Sequence, residues 1–456
     1  MKKFIFTILV LFILPMIVYA DEATDISKQL MYSENGTVIT RINDDNIKTS
    51  YKLSSGSKIL IHSESNNIKQ LYIVYEISSQ RGKLISNNNE EVILGANGFL
   101  HEYVNLNTSS NEVTLSYDTD VNINEIDVFT EGETPSHVQK WVKEDTTDLM
   151  IFSTHADDEQ LFFAGVMPTY INKGKKVHVV YLARHDVGSY YAPNRLHEQL
   201  DGLWTLGVTD YPTFGLIPDA YSESINVARS QMNASGFTDD DIIKFNVEQI
   251  RFYKPKVILG HDENGEYGHG QHILNITTLK DSIAKAADQS YTQVSLDAYS
   301  VPKFYIHLYD LENKTELDYD IPLEKYGNKT AYQVSKEGYS KHLSQQYTWF
   351  TKWLNGNNNE YTSSKQITKY NPAYWGLYKS DVGPDINKND LFENITDETI
   401  VEDNSELNSV IEDTKQIKES LDDLYNKYKD LVIIVSGLVV IVGMILIVII
   451  KRSELK

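Results

Sequence analysis

LMIFSTHADDE, residues 149–159, is the stretch on which the fold turns. Its first five residues form a short apolar run of the kind a parallel sheet buries on both faces. The run ends in Thr154-His155-Ala156-Asp157, and residues 158–173 then carry helical spacing. The alternation continues with a strand at 176–183, a helix at 194–206 stopped by Gly207, a helix at 239–253 and a strand at 255–260. Strands alternating with helices predict an α/β fold, a Rossmann-like parallel sheet with helices on both faces. Such sheets bind their ligands beyond the C-terminal ends of the strands.

Two of those strand ends carry chemistry. The first opens into His155-Ala156-Asp157-Asp158-Glu159, and the third runs into His261-Asp262-Glu263-Asn264-Gly265-Glu266-Tyr267-Gly268-His269-Gly270-Gln271-His272. Together they offer imidazoles and carboxylates and no thiolate, a donor set that suits zinc. Two residues of the first segment with one histidine of the second would leave an open position for water. A carboxylate beside the metal, but not bound to it, would take a proton from that water. Each fragment alone also fits a plainer role. Asp157, Asp158 and Glu159 suit a helix N-terminus. His269 and His272 suit a loop, and His261 to Glu263 a polar loop edge. His178 and His185, flanking the second strand, read as structural or solvated.

Taken jointly, the segments resemble one family. Thr-His155-Ala-Asp157-Asp158-Glu159 is similar to the (A/P)-H-P-D-D-E signature of the GlcNAc-phosphatidylinositol de-N-acetylase superfamily, PIG-L or LmbE-like. Tyr267-Gly-His269-Gly-Gln-His272 resembles its Y-G-H-P-D-H. Arg195-Leu-His-Glu198 before Leu206-Gly207-Val208 resembles its R-x-x-E helix, and His342-Leu-Ser344-Gln345 its H-x-S-Q element. The resemblance covers residues 146–390. It implies zinc, or another divalent metal, on His155, Asp158 and His272. It implies Asp157 as general base, His269 as an imidazolium that stabilises the oxyanion, and Tyr267 as a residue that polarises the carbonyl. Arg195 and Asp219 are implied to contact the sugar. Two departures stand out: Ala156 replaces a proline, and Gly270-Gln271 replaces Pro-Asp. The missing aspartate matches a residue that orients a histidine, and Gln271 brings no charge to hold His269 protonated.

The other segments frame this domain. Residues 1–20 have a lysine-led start, an apolar stretch and a small residue at Ala20, the pattern of a secretory signal peptide. Residues 21–140 predict a β-sandwich, with strand-like runs at 36–41, 58–62, 70–76, 91–94, 112–117 and 124–129. The phrase from Ile123 to Phe129 resembles the last strand of galactose-binding-like jelly rolls, and a plain spacer sandwich fits equally. Residues 385–406 read as an acidic linker, and 391–430 as linker plus stalk. Val410, Thr414, Ile417, Leu421, Leu424, Tyr428 and Leu431 repeat at 4-3 spacing. That suits a coiled-coil stalk making a homo-oligomer, or a single amphipathic helix. Residues 431–450 carry no charge and are long enough to span a bilayer; Lys451 and Arg452 place the tail, 451–456, in the cytoplasm.

The net charge of −22 argues against nucleic acid as a partner and tolerates neutral or cationic glycans. Cysteine is absent, so neither disulfides nor thiolate metal sites contribute. The expectation is a zinc-dependent hydrolase, anchored in a cell membrane with its ectodomain outside. It would remove N-acetyl groups from GlcNAc-like sugars of a surface or cell-wall glycan. The alternatives are a glycan-binding protein with a weak or inactive site, and an O-acetyl esterase using the same residues.

Overall fold

Alternating apolar residues make residues 31–129 into strands whose inward side chains share one core. The computed structural model describes residues 21–188 and 191–396. The predicted signal peptide, stalk, membrane helix and tail lie outside the described residues. Among the described residues no helix is long and apolar enough to cross a membrane. The strands are β1 (Met31–Glu34), β2 (Thr37–Val38), β3 (Tyr51–Leu53), β4 (Lys58–His62), β5 (Ile68–Tyr75), β6 (Gly82–Ser86), β7 (Glu91–Leu94), β8 (His101–Ser110), β9 (Glu112–Tyr117) and β10 (Val121–Phe129). They form two antiparallel sheets, β2-β1-β4-β9-β6-β7 and β3-β10-β5-β8. Ile59, Ile61, Val113 and Leu115 from the first meet Leu71, Ile73, Val104 and Val128 from the second in one buried cluster. The predicted sandwich is present. The sequence pattern passed over β1, β3, β6 and β8; in β8 the polar residues Asn105, Asn107 and Thr108 obscure the alternation.

The following domain is built on β11 (Leu149–Ser153), β12 (Val177–Tyr181), β13 (Ala183–Arg184), β14 (Ile217–Pro218), β15 (Val257–Gly260), β16 (Lys303–His307), β17 (Thr315–Glu316), β18 (Pro322–Leu323), β19 (Lys329–Thr330) and β20 (Tyr374–Ser380). Its main sheet runs β12-β11-β15-β16-β20-β17. The first four strands are parallel, and β20 is antiparallel to both β16 and β17. The sheet is therefore mixed, where the sequence predicted a parallel one. The short pairs β13–β14 and β18–β19 lie outside it.

The helices are α1 (Asp158–Leu161), α2 (Val166–Asn172), α3 (Asn194–Thr205), α4 (Ile225–Ala234), α5 (Asp239–Tyr253), α6 (Gly270–Ala287), α7 (Ala331–Tyr339) and α8 (Trp349–Asn355). α5 and α6 bury Ile243, Val247, Ile250, Ile276 and Leu279 against Met150, Phe152, Ile258 and Phe304 of the sheet. A second group forms round α7, which touches α1, α2 and α3.

Two sequence expectations need correction. The helix predicted at 158–173 is broken between α1 and α2. Gly165 sits there at φ +83°, a left-handed conformation that favours glycine, and a Cβ would lie 2.5 Å from the Tyr319 ring. The linker predicted from residue 385 is folded over its first ten residues. Asp385 is buried and accepts hydrogen bonds from Lys303 Nζ (2.5 Å) and Tyr305 Oη (2.5 Å), while Leu391 is wholly buried. A run of acids looks solvated in sequence, but here one acid pairs with a buried lysine at the start of β16.

The sandwich meets the α/β domain through a closed relay. Glu76 O accepts from His197 Nε2 (3.1 Å), His197 Nδ1 lies 2.7 Å from His101 Nε2, and His101 Nδ1 lies 2.8 Å from Tyr72 Oη. Two neutral imidazoles satisfy every partner, and a second proton on either finds no acceptor. Burial pushes His197 down to about 4, and burial together with His197 pushes His101 well below its usual range. Between pH 6.5 and 4 the unfolded chain therefore binds more protons at these positions, so stability falls as pH falls. Denaturant unfolding at pH 7.5 and 5 should show this loss. A His197→Gln chain should lose less, by up to about 1.4 kcal/mol per pH unit for each proton involved.

Candidate metal centre and active site

The ends of β11 and β15 bring the two chemical segments together. The His155 backbone N–H donates to Asp158 Oδ2 (2.8 Å), closing the turn between β11 and α1. Asp157 opens α1 at φ +101°, and Tyr267 stands at φ +49°, so both occupy backbone that side chains rarely adopt. Such strain persists only where the surroundings impose it, and it collects at functional sites. Around Asp157 those surroundings are specific. Its N–H donates to Glu159 Oε2 (2.9 Å), its carboxylate lies 3.4 Å from Arg195 Nη2, and Arg195 also donates to Ala156 O.

Asp158 Oδ2 is 3.0 Å from His155 Nδ1 and 3.1 Å from His272 Nε2, and those two nitrogens are 3.3 Å apart. The outer hydrogen bonds fix what these atoms present. Gln271 Nε2 donates to Pro218 O (3.1 Å), so its Oε1 is free to accept from His155 Nε2 (2.7 Å). Neutral His155 then turns a lone pair from Nδ1 toward Asp158. His272 Nδ1 donates to Glu266 Oε2 (2.8 Å), which leaves a lone pair on Nε2. Three electron-pair donors thus face one point, and a positive charge must lie among them. The pull shows in His272. Burial opposes its charge, yet Asp158 and Glu266 hold it up to about 10. Burial likewise opposes ionisation of Asp158, but His272 and His155 bring it well below the usual carboxylate range.

A divalent cation fits this donor set. Two imidazole nitrogens and one carboxylate oxygen are zinc ligands, and donors about 2.0–2.1 Å from a tetrahedral ion stand about 3.3 Å from one another. His261 can join: its Nδ1 donates to Glu266, leaving Nε2 open, and Asp158, His261 and His272 form a group able to hold an ion.

Glu266 organises the far side. It is wholly buried and accepts from His261 Nδ1 (2.8 Å), His272 Nδ1 (2.8 Å) and His307 Nδ1 (2.7 Å). Burial disfavours its charge, but the three imidazoles overrule it and keep the carboxyl well below its usual range. The sequence reading missed this residue. Its signal was an acid inside the second segment, but spacing alone does not separate Glu266 from Glu263 or Asp262. His307 was missed with β16, whose end it forms.

The other predicted residues surround the centre. His269 has its ring 4.7 Å from that of His155 and 4.8 Å from that of His272. Its Nδ1 accepts from Gln271 N (3.2 Å), so the neutral ring carries its hydrogen on Nε2. Burial, with His155 and His272 alongside, pushes it down to about 2, where the sequence expected an imidazolium. Tyr267 lies 5.5 Å from His272 and 5.6 Å from His269, ring to ring. Arg195 Nη1 donates to Asp219 Oδ2 (3.0 Å), and Asp219 also faces His155 Nε2 (3.6 Å) and His185 Nδ1 (3.2 Å). His185 is buried in this wall rather than solvated. Burial pushes Asp157 up to about 7, with Arg195 opposing.

With the geometry described, the class is a Rossmann-like α/β domain carrying a histidine–carboxylate centre at its strand ends. Residues 150–280, which build that centre, match the family model described as GlcNAc-PI de-N-acetylase, PIG-L; the segment is a PIG-L domain. The chain is similar to 1D-myo-inositol 2-acetamido-2-deoxy-alpha-D-glucopyranoside deacetylase of Kribbella flavida, with 27% identity over 34% of this chain and 60% of that protein. It is similar to a deacetylase of the same description from Saccharopolyspora erythraea, with 27% identity over 34% of this chain and 63% of that one. It thus spans about three fifths of the length of these relatives. Among solved structures, the N,N'-diacetylchitobiose deacetylase of Pyrococcus horikoshii matches at 14% identity and a TM-score of 0.35, over 56% of this chain and 90% of that one.

Glu266→Gln tests the electrostatic frame. An amide in place of the carboxylate removes a charge and cannot accept from three imidazoles at once. Zinc affinity, measured by competition with a chromophoric chelator, should fall by about 10–100-fold with the fold retained by circular dichroism.

Proposed function

We propose that this chain is a metal-dependent hydrolase that removes N-acetyl groups from GlcNAc-like sugars of a surface or cell-wall glycan, with zinc the fitting metal. The observation that carries this reading is the facing of His155 Nδ1, His272 Nε2 and Asp158 Oδ2 inside a PIG-L domain, with Asp157 alongside. A divalent cation held by these three residues would supply Lewis acidity toward a carbonyl oxygen and toward water.

The remaining work falls to the chain. Asp157, raised to about 7 by burial, is matched to accept a proton from water near neutral pH and return it to the departing amine. Water adds to the acetamide carbon, the C–N bond breaks, and acetate and a free amine leave. His269 serves as a neutral donor: its Nε2–H meets the carbonyl oxygen as negative charge grows there. Tyr267, its hydroxyl kept protonated by burial, is a second donor beside His269. Arg195 steadies Asp157 and with Asp219 frames the sugar side.

The proposed location rests on sequence alone: residues 1–20 read as a secretory signal and 431–450 as a membrane helix, which supports a domain outside the cell tethered to a bilayer. Free amines formed there would add positive charge to a surface glycan.

Acetate release from N-acetylglucosamine oligomers tests the reading. Zinc-loaded full chain should release acetate, and chelator should abolish it. Asp157→Asn should lower the rate by about 10²–10⁴-fold while zinc binding is kept. Metal binding without acetate release from any N-acetylated glycan would favour a glycan-binding protein.

A further inference from the structure

Beside the metal centre the chain exposes large aromatic and apolar side chains within a short segment. Leu343 is 65% exposed, Tyr347 97% and Trp349 48%. These residues do not sit on a loose loop. His342, wholly buried, places Nε2 2.9 Å from Glu159 Oε1. Ser344 donates from its backbone N (3.0 Å) and Oγ (2.6 Å) to Glu198. Tyr339 Oη donates to Gln345 O (3.1 Å), and Gln346 Nε2 donates to Tyr339 O (2.8 Å). An exposed apolar surface on so firm a mount marks a binding face.

The face is continuous with the proposed active site. Trp349 lies tilted against Phe350 at 4.1 Å, and both reach Tyr267, at 5.8 and 5.3 Å between centroids. Tyr267 leads to His269 at 5.6 Å. Tyr221, 63% exposed, also meets His269, 5.3 Å away edge-on. Exposed aromatic surface therefore borders the centre from two segments, 343–350 and the one that carries Tyr221. The occupant is argued from that continuity. A pyranose ring offers weakly apolar C–H faces that lie flat on an aromatic ring, with its hydroxyls left in water. Units already stripped of acetyl carry an ammonium group, which aromatic faces also attract.

We propose that Trp349 and Tyr347 on one segment and Tyr221 on another are stacking subsites for sugar rings flanking the unit in the metal centre. The preferred substrate is then a glycan chain and not a single amino sugar. The proposal rests on the deacetylase reading for which ring enters the centre, but its binding test stands apart from turnover.

The test uses the full chain carrying Asp157→Asn, loaded with zinc, titrated calorimetrically with N-acetylglucosamine and its hexamer. The hexamer should bind at least tenfold more tightly. Adding Tyr347→Ala or Trp349→Ala should weaken the hexamer by about tenfold each, the size of one aromatic stacking contact, and leave the monomer unchanged. Tyr347 is so exposed that its truncation does not endanger folding. Equal affinity for monomer and hexamer, failure of the hexamer to bind, or equal weakening of both ligands would overturn the proposal. So would conversion of a dimer to a monomer by Trp349→Ala in sedimentation, which would make the face a self-association surface. A hexamer preference without acetate release by the Asp157-containing chain would sink the deacetylase reading and keep the subsites.

Discussion

One carboxylate oxygen, Asp158 Oδ2, stands against two imidazole nitrogens turned to it by their own outer hydrogen bonds. Much of the α/β domain serves to hold that confrontation. β11 delivers His155 and Asp158, with the His155 N–H locking the turn. β15 and the loop after it deliver His261, Glu266 and His272, and β16 delivers His307 to the same glutamate. α6 is tied back to β11 where Asn275 Nδ2 donates to Ser153 O and Thr154 Oγ1, both at 2.9 Å. Burying an unpaired charge is costly, so this site is tolerable only as a balanced set.

The sequence revealed this in proportion to how local the information was. β11 and α5 have the predicted bounds because a continuous apolar run and a capped amphipathic helix declare themselves within a short window. His155, Asp157, Asp158, His269 and His272 were legible because they lie together at strand ends. Glu266 was not, since its importance comes from His307, 41 residues away, as much as from its neighbours. The mixed character of the sheet was hidden for a related reason. β20 returns antiparallel from a segment whose Gly376 and Lys379 give no clean strand pattern, and only pairing with β16 makes it one.

The departures from the family pattern acquire physical reasons once partners are visible. Ala156 stands where the pattern has proline, and its N–H donates to His185 Nε2 (3.0 Å). Gly270 stands where the second motif has proline, and its N–H donates to Ser222 O (2.7 Å), while a Cβ would lie 2.1 Å from Ser224 O. A proline at either place would remove a donor that this chain uses. Gln271, expected to matter for His269, instead orients His155 through its amide oxygen. It supplies the hydrogen bond without a charge. The His155 proton is placed but less strongly drawn off, and the electron density left on Nδ1 is smaller than a carboxylate partner would give.

The remaining motifs join distant parts of the site into one mechanical unit. Arg195 and Glu198 lie one turn apart on α3. Arg195 reaches Asp157 and Asp219, and Glu198 holds Ser344 at the root of the exposed aromatic segment. Glu159, two residues from Asp157, takes the Asp157 N–H with one oxygen and faces His342 with the other. Glu159 therefore holds the strained backbone at Asp157, and Glu159 and Glu198 together hold the root of the segment that carries Trp349. The aromatic face touches the site at Tyr267, and its root touches Glu159 and Glu198 as well. In the proposed reading, a sugar seated on this segment would bear, through His342 and Glu159, on the left-handed turn that carries Asp157. Binding energy from remote rings would then be spent on orientation at the acetamide, where it raises the rate and not only the affinity.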